Sequence, residues 1–206
     1  MEIFDISQTL QPGIATYPGD PEFFSHRVLS ISEGKFVNVS AIRMGTHTGT
    51  HIDAPLHLNN SGCDVAAIPL ETCIGPVRVL DLSSLLCIRA ADLVSGDWTG
   101  VERVLFRTRS SSNPEKAFDR SFVWLDSDAA EFMAGKGIRL VGVDAPSVDP
   151  FDSLELPTHK VLLGRSIAIV ENLRLGQVLP GDYNLICLPL KVAGADGSPV
   201  RAVLWR

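Results

Sequence analysis

Three of the five histidines, His47, His51 and His57, fall with Asp53 inside the segment Gly45-Thr46-His47-Thr48-Gly49-Thr50-His51-Ile52-Asp53-Ala54-Pro55-Leu56-His57. Imidazole, imidazole, carboxylate and imidazole stand at spacings of four, two and four. Gly45, Gly49 and Pro55 argue against a helix, so the segment is expected to be a bent, partly extended loop. Residues two apart on an extended piece point the same way, which lets His51 and Asp53 converge, and a turn at Gly49 can return His47 beside them. Two neutral imidazoles and a carboxylate suit Zn²⁺ or Mn²⁺ and leave positions open for water and substrate. An open shell belongs to catalysis, whereas a structural zinc site closes four ligands, commonly with thiolates.

Other chemistries find less support. Cys63, Cys73, Cys87 and Cys187 form no C-x-x-C pair and read as scattered buried thiols. No G-x-S-x-G elbow is present for a serine nucleophile. Cys63 has no helix start or basic neighbour that would activate it. With 18 Lys and Arg against 24 Asp and Glu, the net charge is −6, and without a basic run nucleic acid is excluded as a partner. Gly, Pro or charge interrupts every apolar stretch short of a membrane span, and the acidic start Met1-Glu2-Ile3-Phe4-Asp5 does not read as a secretory signal. A soluble cytoplasmic protein with reduced thiols is the expectation.

The 206 residues, 45% of them hydrophobic, suit one well-filled α/β domain, 1–206, with a β-rich mixed core. Extended segments are expected at Glu2 to Ser7, Phe23 to Ser32 and Phe36 to Met44. In the third, Val37 and Val39 alternate with Asn38 and Ser40 as on a half-buried strand. Val77 to Leu82, Arg103 to Arg107 and Phe122 to Leu125 follow as strands. A helix runs from Asp126 or Ser127 to Gly135, burying Ala129, Ala130 and Met133, before a strand at Ile138 to Val143. Strand, helix and strand in this order predict a parallel crossover. A second helix starts at Pro157 and reaches about Leu163, ahead of a strand at Ile167 to Val170. Leu185 to Leu190 and Val200 to Trp205 close the chain as strands joined by the turn-rich 194–199.

The pattern His47-x-Gly49-Thr50-His51-x-Asp53-x-Pro55-x-His57 resembles the signature of the metal-dependent cyclase and hydrolase superfamily. Within it the chain looks most like the bacterial kynurenine formamidases. The likeness runs from Tyr17-Pro18-Gly19-Asp20 and Val37-Asn38-Val39-Ser40 through 142–150, Glu171-Asn172-Leu173 and Gly181-Asp182-Tyr183 to Leu188-Pro189-Leu190 and 196–202.

The resemblance implies a swivelling β/α/β-type fold, a homodimer and two divalent metal ions per subunit, zinc or manganese. His47, His51 and Asp53 would hold one metal, and Asp53 would bridge to a second held by His159 and Glu171. His57 would be the general acid/base for attack of a metal-activated hydroxide on a small aromatic formamide, N-formyl-L-kynurenine, giving L-kynurenine and formate. Tyr17 stands where close formamidases carry a tryptophan against the substrate ring, and would supply an aromatic face there. Asp144, Ser147 and Asp149 either line the site or shape a loop, with the loop role favoured, and His26 is left without a role. Two rival readings are a cyclic amide, imide or lactone hydrolase like isatin hydrolase, and a noncatalytic metal-binding module. The second has no use for His57.

Overall fold

Along Arg103–Arg107 the side chains alternate between two apolar clusters: Leu105 points into one, Val104 and Phe106 into the other. A strand buried on both faces needs a layer on each side, and the rest of the chain supplies them. The computed structural model describes residues 1–113 and 115–206. In chain order it contains β1 (Ile3–Asp5), β2 (Phe24–Leu29), β3 (Val39–Arg43), β4 (His51–Asp53), α1 (Leu70–Cys73), β5 (Ile74–Asp81), β6 (Cys87–Ile88), α2 (Ala90–Leu93), β7 (Arg103–Arg107), β8 (Trp124–Leu125), α3 (Ser127–Gly135), β9 (Leu140–Val143), α4 (Pro157–Gly164), β10 (Ala168–Glu171), β11 (Gly181–Pro189) and β12 (Gly197–Trp205).

Eight strands make one sheet in the order β1-β12-β11-β5-β7-β9-β10-β4. β4 also pairs with β12, so the sheet closes on itself as a barrel. One edge of β12 serves two neighbours, giving Gly197 to Pro199 to β4 and Val203 to Trp205 to β1. β5, β7, β9 and β10 run parallel to one another, and the remaining pairs are antiparallel. Val79, Leu105, Leu140, Val170, Leu185 and Leu204 fill the inside. Val104, Phe106, Val141, Val143 and Ile169 pack outward against Ala129 and Met133 of α3 and Leu162 and Leu163 of α4. The expected α/β class with a β-rich mixed core is the observed one. No described helix is long and apolar enough to cross a membrane.

Both long helices form where their residues predict. The Asp126 side chain accepts from Asp128 N at the start of α3, whose buried face is Ala129, Ala130 and Met133. Pro157 occupies the first turn of α4, where its missing N–H costs no hydrogen bond.

Other expectations need correction. β8 pairs with β6 in a separate two-stranded sheet, so the crossover through α3 links β7 to β9 and does not begin at Phe122 to Leu125. Nothing local to a strand tells which partner it takes. Val37 and Val39 are exposed, because among the described residues β2 and β3 pair only with each other and no second layer covers them. Gly197 to Pro199, read as turn, belongs to β12. Of the cysteines, Cys73 and Cys187 are buried, whereas Cys63 is exposed and Cys87 only partly covered.

The barrel interior leaves no room at Gly142: a Cβ there would collide with Leu105 Cδ2 and lie 2.8 Å from Leu173 Cδ1. Gly142→Ala is expected to destabilise by about 1–3 kcal/mol and lower Tm by roughly 2–12 °C in a thermal melt. An unchanged Tm would mean that the barrel expands freely.

Candidate metal centre

Ile52 places the centre. Its side chain is fully buried inside the barrel, worth about 1.5–3 kcal/mol relative to an exposed position, and that fixes which way β4 faces. His51 and Asp53 therefore point to the outer face. β10 lies antiparallel beside β4 with Glu171 opposite His51 and Ile169 opposite Asp53, so Glu171 joins the same patch. α4 packs on β10 and contributes His159 from its buried face. Gly49, at φ +67°, turns the preceding chain, and His47 folds back so that its Nδ1 lies 2.8 Å from Asp53 Oδ1. His57 ends the short 3-10 turn Pro55–His57 and packs against His47 at a tilt of 43°, with ring centroids 4.2 Å apart.

Sequence reasoning nominated His47, His51, Asp53, His57, His159 and Glu171, and all six come together here. His51 Nε2 is 3.4 Å from both Asp53 Oδ1 and Glu171 Oε2. His159 Nε2 is 3.5 Å from Asp53 Oδ2 and 3.3 Å from Glu171 Oε1. One ligand atom from each of His47, His51 and Asp53 falls within 4.8 Å of the others, as it does for Asp53, His57 and His159.

Hydrogen bonds behind the rings set which nitrogen faces the centre. His51 Nδ1 donates to Gly49 O at 2.8 Å, and His159 Nδ1 donates to Asp149 Oδ2 at 2.6 Å. Both Nε2 atoms are thereby aimed at carboxylate oxygens, the arrangement that orients imidazoles toward a cation. Asp149 also accepts from Thr158 N and His159 N, so one carboxylate caps α4 and steers its histidine. Asp196, from the segment before β12, lies 3.1 Å from His47 Nε2 and 3.4 Å from His57 Nδ1. Sequence reasoning gave Asp196 no role and favoured a loop role for Asp149. The signal for each was its place in the quoted motifs, 142–150 and 196–202. Asp144 both shapes a loop and lines the site: it accepts from the backbone and hydroxyl groups of Thr108 and Ser111, and with Ser147 it lines the cavity beside the centre. His26 sits on the exposed hairpin against Phe24, away from the centre.

Asp53 is the test of whether this cluster fits a cation. Its residue is 1% exposed, and neither carboxylate oxygen has a well-aligned hydrogen-bond donor among the described residues. The imidazoles approach within ion-pair distance but off the line of an N–H bond. A buried, unsatisfied carboxylate is costly unless positive charge stands beside it, and the donor set of imidazole and carboxylate suits a divalent cation. Protons take that place when no cation is bound. Burial opposes charge on His51, yet the Asp53 and Glu171 carboxylates outweigh it and raise its pKa to about 10. His159 is raised well above its ordinary value, burial being overcome by Asp149, Asp53 and Glu171. Burial works against the Asp53 anion too, but His47, His159 and His51 hold it well below the usual carboxylate range.

The centre opens into a cavity of about 320 Å³ whose lining includes His47, His51, His57, His159, Tyr17 and Phe118. Tyr17 meets Phe118 edge to face at 5.3 Å and its hydroxyl donates to Phe151 O at 3.1 Å. Gly197 lies opposite Asp53 across the β4–β12 pair, and a Cβ there would come within 2.8 Å of His47 Cε1.

Comparison with known proteins decides the family: the Cyclase family model matches residues 4–150. The chain belongs to the cyclase family. A kynurenine formamidase from Bacillus cereus is 47% identical over 203 residues, 98% of this chain and 97% of its own. A solved structure described as a potential metal-dependent hydrolase with cyclase activity superposes with a TM-score of 0.85 at 35% identity, covering 98% of this chain and 96% of that one. Isatin hydrolase A from Labrenzia aggregata shares the fold, with a TM-score of 0.85, 23% identity, and coverage of 98% and 93%. As a member of this family the chain is a hydrolase, and its His and Asp clusters suit a divalent metal.

The raised imidazole pKa has a consequence for stability. In protein stripped of divalent cations, protonated His51 stabilises the fold fully below the ordinary 6.5, and the contribution is lost as pH rises toward about 10. The Tm of the stripped protein is expected to fall across that window in melts with a chelator present. A Tm that rises from pH 6.5 to 10 would contradict the cluster's charge state.

Proposed function

We propose that the protein is a metal-dependent kynurenine formamidase, hydrolysing N-formyl-L-kynurenine to L-kynurenine and formate. The observation that carries this reading is the buried Asp53 carboxylate, without a well-aligned hydrogen-bond donor among the described residues, behind His47, His51 and His159, which line a cavity that also presents aromatic rings. The identity to the Bacillus cereus formamidase supports the substrate.

Two divalent cations, zinc or manganese, are proposed, one held by His47, His51 and Asp53 and the other by Asp53, His159 and Glu171. Cations bound there supply Lewis acidity, lowering the pKa of water toward neutrality and polarising the formyl carbonyl. The protein's own groups do the remainder. Tyr17 and Phe118 offer the aryl ring a hydrophobic face, worth more where rings meet edge to face or offset. His57, with Nδ1 turned toward Asp196, is placed to take a proton from the attacking water and return it to the departing aryl amine nitrogen. Its half-buried position at the cavity lining keeps it in reach of both. The Asp196 carboxylate is held down to about pKa 2, burial being outweighed by His47 and Thr46, so it remains an anion that orients the two rings.

The test is a substrate and metal panel. Metal-loaded protein is expected to release kynurenine from N-formyl-L-kynurenine and to lose turnover with a chelator. His57→Ala is expected to keep its metal content while losing roughly 10²- to 10⁴-fold in kcat. Loaded protein that ignores the formamide and opens isatin would replace this reading with a cyclic-amide hydrolase.

The reading includes a homodimer and a cytoplasmic location. Four free cysteines support the second. For the first, the β2–β3 hairpin exposes Phe24, Val28, Val39 and Ile42, with Phe36 fully exposed near its turn. A lone two-stranded hairpin is marginal in water, and such an apolar surface is characteristic of an interface. Ile42→Glu is expected to shift the protein from dimer to monomer in light scattering, and a wild-type protein that is already monomeric would remove the dimer.

A further inference from the structure

The cavity lining includes polar side chains that the metal chemistry leaves unused. Arg174 is the sole Lys or Arg among the described residues that line it, and Glu115 lines it too. Arg174 follows Glu171 by three residues, a separation of at most about 10 Å along the chain, so its position is tied to the centre through the end of β10. Its backbone N–H donates to Ile6 O at 2.8 Å, and Nη1 donates to Asn113 O at 2.9 Å. Glu115 is tied to the loop that carries Tyr17, because Ala15 N donates to Glu115 O at 2.8 Å. Arg174 Nε and Glu115 Oε1 are 3.8 Å apart, too far for a hydrogen bond, and the side chains are 29% and 24% exposed. A guanidinium with spare donors and a carboxylate with spare acceptors thus form a loose, partly exposed ion pair on the cavity wall, with no direct hydrogen bond at 3.8 Å to tie up either group. Beside them Ser110 lines the same cavity, and its buried hydroxyl has no partner among the described residues.

One cation and one anion at this separation complement a zwitterion. We propose that Arg174 and Glu115 form the subsite that recognises the α-amino-acid end of the substrate, Arg174 taking the carboxylate and Glu115 the ammonium group. This assignment rests on the formamidase reading. An aryl formamide that places its formyl group at the centre and its ring against Tyr17 extends its amino-acid arm away from the metals. Arg174 and Glu115 are therefore specificity residues that never touch the reacting atoms. Their loss acts on binding and leaves the chemical step to His57 and the centre.

The test compares two substrates on one metal-loaded enzyme: N-formyl-L-kynurenine, and N-formyl-2-aminoacetophenone, which keeps the ring, ketone and formamide but lacks the amino-acid arm. Arg174→Met is expected to lower kcat/KM for the first by roughly 10- to 100-fold, mainly through KM, and the loss is confined to that substrate. Arg174→Lys, which keeps the charge but not the planar fork, is expected to recover part of the loss. Because Arg174 also braces Asn113, Glu115→Gln is the variant that leaves this brace in place, and a raised KM for the amino-acid substrate alone is again expected. Equal losses on both substrates, or none on either, overturn the subsite while leaving the formamidase reading intact. Wild-type enzyme that cleaves neither formamide overturns the formamidase reading, and the subsite falls with it.

Discussion

A carboxylate buried at Asp53, with no well-aligned hydrogen-bond donor among the described residues, is the constraint around which the site is arranged. Desolvating such a group costs several kcal/mol unless charge of opposite sign stands beside it. The fold meets that demand from three directions, with His51 on the same strand, His159 on a helix and His47 on a returning loop. Each imidazole is constrained in turn from behind. Gly49 O fixes His51, Asp149 fixes His159, and Asp196 faces both His47 and His57. The outer carbonyl and carboxylates are what decide which nitrogen faces Asp53, so the geometry of the centre is set one layer away from it.

Closure of the barrel and assembly of the centre are the same event. β4 has only three residues, yet it joins β10 to β12 and completes the ring. Its middle residue, Ile52, belongs to the inner core, and its outer two belong to the site. A slip of one residue would turn Ile52 outward and bury both ligands in the apolar interior, at a loss on both counts. The tight approach of Gly197 to His47 follows from the same pairing, since only a residue without a side chain lets β12 run so close to the returning loop. Charge on Asp53 and hydrophobic burial of Ile52 therefore stabilise one register together.

What could be read in the chain beforehand divides along the range of the interactions. His51 and Asp53 were legible because strand period places them on one face, and His47 because Gly49 marks a turn. His159 and Glu171 carry no local signal of convergence. They meet only because β10 lies antiparallel to β4 and α4 packs over β10, and resemblance alone brought them in. From the chain alone Asp196 has no role and Asp149 only a loop role for a similar reason, since each acts by holding a ring distant in sequence. Val37 and Val39 mark the other limit: alternation identifies an apolar face but not whether the same chain covers it. β8 failed in the crossover assignment because its partner β6 is set by tertiary packing, with propensity silent on the matter.

The centre by itself does not choose a substrate. Its imidazoles and carboxylates would serve hydrolysis of any carbonyl compound that reaches them, and isatin hydrolase A carries its different named activity on the same fold. Discrimination must come from the walls, many of whose residues belong to other parts of the chain: the loop around Tyr17 and the segment carrying Asn113, Glu115 and Phe118. These two segments are joined to each other through Ala15 and Glu115, and the second is joined through Asn113 and Arg174 to the end of the strand that carries Glu171. A change in either wall can thus alter which arm of a substrate is held without disturbing Asp53. Rigid barrel strands position the reacting groups and loops vary around them, so chemistry and specificity are separable in this molecule at the level of the elements that carry them.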